Sequence, residues 1–103
     1  MSPKDLVQRW VSAYNRHDLE HLVEFYAQTS IYHEVGASPI IGRTAIETQL
    51  SKLIATKPEH LQVENLLGDG DWAILESTEA LGKRACRLFQ IKEDKIHFQR
   101  NYS

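Results

Sequence analysis

His33 and Glu34 stand side by side in the stretch Ile31-Tyr32-His33-Glu34-Val35. That stretch reads as a short strand, ended by Gly36 and Pro39. Neighbours on a strand point to opposite faces, so only one of the two can enter a cavity. A glutamate or a neutral histidine in an apolar cavity suits general acid or base work. The pair is therefore read as one catalytic residue, His33 or Glu34. Alternatively one of them is exposed at the rim and the other makes a structural hydrogen bond.

Glu76 and Arg87 form a second candidate pair. Leu81-Gly82 reads as a two-residue hairpin loop between two strands. That loop sets Thr78 opposite Ala85, Glu76 opposite Arg87, Ile74 opposite Phe89 and Trp72 opposite Ile91. A buried charge needs a partner, and this register supplies one. Arg87 could then hold a substrate carboxylate or stabilise an enolate, with Glu76 orienting it. Alternatively the two simply neutralise each other.

Around these groups stand the side chains expected to touch a ligand. Trp10 and Tyr14 lie on one stripe of the first helix. Trp72 and Phe89 share the face assigned to Glu76 and Arg87. Gln99 and Asn101 alternate with Ile96, Phe98 and Tyr102 along the last strand, and His97 falls in step with them. The aromatic residues can equally serve as core. The polar ones can equally face solvent.

Other chemistries find little footing. His17 and His21 have a metal-ligand spacing on a helix, but His17 precedes the cap Asp18 and no third ligand is suggested. No metal and no cofactor are expected. The single cysteine, Cys86, reads as an inert core thiol and suits a reducing compartment. A net charge of −2 and the sparse cluster Lys83, Arg84, Arg87 offer no footprint for nucleic acid. No apolar run is long enough for a signal peptide or a membrane span, so the expected setting is cytoplasmic.

The elements that must position these groups are legible in outline. Ser2, Pro3 and Asp5 start a helix with Leu6, Trp10 and Tyr14 on its apolar stripe. Asp18 caps a shorter one carrying Leu19, Leu22, Val23 and Tyr26. Thr44 with Glu47 predicts the cap of a third, closed by Lys57-Pro58. Beyond Pro58 the period turns to alternation: Leu61 to Leu67, Trp72 to Ala80, Lys83 to Lys92 and Lys95 to Tyr102, with turns at Gly68-Asp71 and Glu93-Asp94. Helices first and strands later predict an α+β fold, one domain over residues 1–103. Both faces of the sheet are apolar enough to need cover, which predicts a homodimer through the outer face.

Several stretches resemble the nuclear transport factor 2-like superfamily, in its ketosteroid isomerase and SnoaL-like polyketide cyclase branches. They are Val7 to Asn15 with Asp18-Leu19, then Val35-Gly36, Pro39 and Gly42 to Ile46. Gly70-Asp71, Phe89, Lys95-Ile96 and Arg100-Asn101-Tyr102 resemble the family's sheet. The resemblance implies a cone, in which a curved antiparallel sheet of the cystatin-like α+β barrel type is covered by three N-terminal helices. It also implies pairing through the outer sheet face. The isomerase's general base aligns with His33 or Glu34, its oxyanion tyrosine with Trp10 and its protonated aspartate with Arg87. The cyclase's catalytic aspartate would align just past Ser103. The expected function is a pocket for a small apolar molecule, with cofactor-free acid/base chemistry of an isomerase, cyclase or hydrolase type. The alternatives are a non-catalytic binder and a dimeric interaction module.

Overall fold

The computed structural model describes residues 1–56 and 60–102. Its helices are α1 (Pro3–Asn15), α2 (Leu19–Glu24) and α3 (Arg43–Thr56). Its strands are β1 (Tyr26–Glu34), β2 (Ile40–Ile41), β3 (Gln62–Asp69), β4 (Trp72–Thr78), β5 (Arg84–Lys92) and β6 (Lys95–Tyr102). They form one curved, unclosed sheet in the order β2-β1-β6-β5-β4-β3. The fold is α+β, as the order of elements implies.

The sheet is antiparallel except at one junction, where β1 runs parallel to β6. Neighbours in sequence are tied by tight turns and must run antiparallel. β1 and β6 are joined through most of the chain, so no hairpin constrains their direction.

The Ser2–Asp5 capping box forms as expected, and α1 buries Leu6, Val7, Trp10 and Tyr14. Asn15 then clamps the helix to the start of the sheet. Its amide donates to the Leu61 carbonyl at 3.0 Å and its oxygen accepts from the Leu61 N–H at 2.9 Å. Asp18 caps α2 by accepting from the His21 N–H.

Two helix boundaries differ from the expected ones. Tyr26 does not continue α2 but opens β1. The carbonyls at the end of α2 are taken by Arg43, Lys95 and the Ile96 N–H, which draws the chain into the sheet one residue later. Likewise α3 begins before the expected Thr44 cap. Gly42, at φ +96°, turns the chain and its carbonyl accepts from Ile46 N, so Thr44 already lies inside the helix. The helix stop assigned to Lys57-Pro58 lies outside the described residues.

The β4–β5 register departs from the predicted one by a single residue. Thr78 opposes Arg84, and residues 79–83 form the connection. Within it, Leu81 (φ 61°) and Gly82 (φ 73°) both take positive φ, and the Glu79 N–H donates to the Lys83 carbonyl at 2.7 Å. A longer loop replaces the two-residue turn. Because side chains alternate, a slip of one residue inverts a partner's face. Glu76 therefore opposes Cys86 on the outside, while Arg87 opposes Leu75 on the inside. The predicted Glu76–Arg87 pair does not form. Trp72 is corrected for the same reason. It lies on the outer face, 39% exposed and edge-on to Phe98.

A bulge corrects the last strand in the other direction. Gln90 pairs with Phe98 but Ile91 pairs with Ile96, so His97 is the extra residue. Apolar Ile96 and polar Gln99 and Asn101 thus share the inner face, all three buried. Over that face lies α1. Trp10 stacks on Tyr14 at 5.2 Å and meets the edge of Phe89 at 5.4 Å. Truncating a core aromatic of this kind costs about 3–5 kcal/mol.

Candidate functional site

At the open end of the sheet, under α3, lies a cleft of about 230 Å³. Tyr14 of α1 and Gln49 and Leu53 of α3 form one wall. Glu34 of β1, Ala85 and Arg87 of β5, and Asn101 and Tyr102 of β6 form the other. The β4–β5 connection contributes Glu79 and Lys83 at the rim.

Glu34 ends a buried chain of hydrogen bonds whose direction is forced. The Trp10 indole can only donate, and it donates to the Tyr26 hydroxyl at 3.0 Å. The Tyr26 proton must then go to Gln99 Oε1, at 2.5 Å. That assigns the Gln99 amide, whose Nε2 donates to Asn101 Oδ1 at 2.9 Å. Asn101 Nδ2 is left to donate to Glu34 Oε1, also at 2.9 Å. The Tyr32 hydroxyl adds a second donor to the same oxygen at 3.1 Å. Both hydrogen bonds fall on Oε1, so Oε2 retains its acceptor capacity for the cleft. Burial pushes the Tyr26 hydroxyl well above the usual tyrosine range. Tyr32 is raised too, by burial first and then by the negative fields of Tyr26 and Glu34. Both hydroxyls therefore act as proton-holding donors.

Arg87 is the buried cation of the site, 8% exposed. Its guanidinium lies over the rings of Trp10 at 5.6 Å and Tyr14 at 5.9 Å. One terminal nitrogen donates to Ser77 Oγ at 3.2 Å and the other to Glu79 Oε1 at 3.0 Å. Glu79, not Glu76, neutralises it.

Of the residues singled out from sequence, Glu34, Arg87, Tyr14 and Asn101 converge on the cleft. Trp10, Phe89 and Gln99 lie one layer beneath it, each 1% exposed or less, and act by packing and hydrogen bonding. His33 points away. It accepts from Arg100 Nε at 3.2 Å and contacts the Ala37 carbonyl at 3.1 Å. Glu76 lies on the outer face, where it accepts from Asn65. Sequence reasoning missed Tyr32, which alternation places on the face of Glu34, two residues on. It also missed Tyr26, assigned to a helix. Glu79 carried no signal, because a loop conformation brings it to Arg87.

A larger hollow, about 320 Å³, lies at the outer face among Glu64, Asn65, Glu76, Arg84, Cys86 and Tyr102. Its charged groups, Glu64, Glu76 and Arg84, are exposed, and its fully buried polar side chain, Ser77, is engaged by Arg87 of the other cleft, so the smaller cleft is the better candidate. Cys86 in that hollow is half-buried, and desolvation followed by Glu76 raises its thiol above the ordinary value. That opposes thiolate formation and nucleophilic use. Among the described residues, no three His, Cys, Asp or Glu side chains gather as metal ligands. No helix of the described residues is long and apolar enough to cross a membrane.

Comparison with known proteins places this geometry. A SnoaL-like protein of unknown function from Burkholderia thailandensis superposes with a TM-score of 0.86 at 19% identity, covering 95% of this chain and 91% of the other. An uncharacterised cystatin-fold protein from Novosphingobium aromaticivorans gives 0.86 at 14% identity, over 100% and 99% of the two chains. An LEH-like epoxide hydrolase of M. tuberculosis gives 0.83 at 19% identity, over 95% and 79%. At such identities the likeness speaks for the fold alone. No curated protein matches the sequence. The family model for the SnoaL-like domain matches residues 7–97, most of the chain, and the protein belongs to that family within the nuclear transport factor 2-like superfamily.

Proposed function

We propose that this protein holds a small molecule in the cleft and transforms it by cofactor-free acid/base chemistry. Glu34 is the proton-accepting group and Arg87 the cation facing developing negative charge. The carrying observation is the convergence of Tyr32 and Asn101 on Glu34 Oε1, which leaves Oε2 for a substrate proton. Leu53, Ala85 and the ring of Tyr14 suit an apolar body, and Asn101 and Arg87 suit a polar function at one end. Isomerisation, cyclisation and hydrolysis all use such a base and oxyanion partner.

The test is turnover of a panel of small ketones, lactones and epoxides, each with and without a carboxylate substituent, followed by NMR. Conversion is expected with the wild type and with His33→Ala, and lost in Glu34→Gln. Conversion that survives Glu34→Gln overturns the assignment.

One observation favours a second reading, a dimeric interaction module whose cone is filled by its own side chains. Trp10, Tyr26 and Phe89 fill the floor of the cone, and the cleft of about 230 Å³ falls below the roughly 300–1,000 Å³ usual for small-molecule sites. Thermal stabilisation by any panel compound would overturn it, and none is expected under that reading.

We further infer a homodimer through the outer sheet face. Ile74 and Tyr102 are exposed there beside half-buried Leu88 and Phe98. A reducing, cytoplasmic setting suits a chain with one thiol.

A further inference from the structure

We propose that Glu79 is an internal stand-in for the carboxylate of an anionic ligand, and that a small carboxylic acid in its ionised form displaces it from Arg87. The proposal rests on the cleft being a ligand site and names the class of ligand it takes.

Arg87 is aimed by its surroundings rather than by Glu79. The rings of Trp10 and Tyr14 support its guanidinium plane, and Ser77 holds one terminal nitrogen. All three belong to α1 or β4, regular elements of the fold. Glu79 alone comes from a connection. It makes a single nitrogen–oxygen hydrogen bond to Arg87, at 3.0 Å, where a guanidinium can hold a carboxylate with two. An incoming carboxylate free to choose its angle has a better geometry available than the tethered one.

The connection that carries Glu79 is built to give way. None of Ala80–Gly82 is buried, and Leu81 is fully exposed at positive φ. The hydrogen bonds that close it, Glu79 N to Lys83 O and Lys83 N to Ala80 O, are internal to the loop. Swinging Glu79 outward therefore exposes no core. Lys83, at the same rim, supplies a second cation near the incoming anion. With Glu79 in place the cleft's charges balance, Glu34 and Glu79 against Lys83 and Arg87. With Glu79 displaced, a ligand carboxylate restores that balance, and a neutral ligand leaves Arg87 buried and unpaired. This is a device for selecting anions over neutral analogues.

Glu79 competes as a tethered group at an effective concentration on the order of millimolar, so against an intrinsic carboxylate contact of about 0.1 mM its removal is expected to tighten carboxylate binding about tenfold. The experiment titrates acetate, benzoate and cyclohexanecarboxylate, each beside its uncharged amide, into wild type and Glu79→Gln by calorimetry. At least one acid is expected to bind Glu79→Gln about tenfold tighter than wild type, with its amide unchanged between the two proteins. An NMR titration of the wild type provides a readout that needs no variant. There the backbone amides of residues 79–83 should shift with the acid and stay in place with the amide. If acids and amides bind alike in both proteins, displacement is overturned while the cleft stands as a ligand site. If neither acids nor amides perturb any cleft resonance, displacement and the ligand-site reading fall together.

Discussion

Glu34 and Asn101 face each other across the parallel junction of β1 and β6, and the Asn101 amide donates to Glu34 Oε1 at 2.9 Å. The contact joins the last inward residue of β1 to the end of a hydrogen-bond chain that starts at Trp10 on α1. It gives the carboxylate one orientation, because every donor upstream has only one way to point.

Replacing Asn101 by leucine removes that donor and strands the Gln99 amide, which is fully buried. An orphaned buried polar group costs about 1–3 kcal/mol. Asn101→Leu is therefore expected to lower unfolding stability by about that amount. His33→Ala, on the outer side of the same strand, should cost less than about 1 kcal/mol. Urea unfolding of both variants checks the contrast, and equal losses would contradict the assigned faces.

Tyr26→Phe probes the middle of the chain. It leaves the Trp10 N–H and Gln99 Oε1 without their partner, at 1% and 0% exposure. A loss of about 2–4 kcal/mol is expected, against less than about 0.5 kcal/mol for Tyr102→Phe on the outer face. Denaturant midpoints at unchanged slope are the measurement.

Alkaline pH should destabilise the fold through two tyrosines. Burial raises Tyr26 and Tyr32, so each is neutral in the folded state where the unfolded chain would ionise it. Their contribution is fully present below the unfolded value of about 10 and is lost as pH rises from there towards the folded values. A phenolate absorbance titration should therefore show both tyrosines still protonated past about pH 10 while the chain stays folded. Free titration of all four tyrosines in the folded protein would contradict it.

Register is open to a double-mutant cycle. Arg87 touches Glu79 and not Glu76. The coupling of Arg87→Met with Glu79→Gln is expected at about 1–3 kcal/mol, and that with Glu76→Gln near zero. The reverse order would restore the two-residue hairpin.

Charges placed on the outer face should break the dimer. Ile74→Lys with Leu88→Lys puts two cations opposite each other on neighbouring strands, since the two residues are register partners. Sedimentation equilibrium should show dimer for the wild type and monomer for the variant, with an unchanged far-ultraviolet spectrum. A wild-type monomer at all concentrations overturns the interface.

Local signals determined the frame. The Ser2–Asp5 box and the Leu6, Trp10, Tyr14 stripe specify α1 within one stretch of chain, because capping and helical period involve residues at most a turn or two apart. The alternation after Pro58 likewise marks strands, and Glu93-Asp94 turns as expected, both residues at positive φ. Residue type and strand pattern marked His33 or Glu34, and Glu76 with Arg87, as chemistry-bearing. Tertiary structure decided which groups they meet. A loop of residues 79–83 in place of a two-residue turn moved Arg87 inside and Glu76 outside, and delivered Glu79. A bulge at His97 brought Gln99 and Asn101 under the helices. The parallel junction of β1 and β6 set Glu34 beside Asn101, 67 residues away in sequence. Side-chain facing in a sheet depends on a count of one residue. Loop length and bulges set that count, and they answer to packing across the whole sheet rather than to their own few residues.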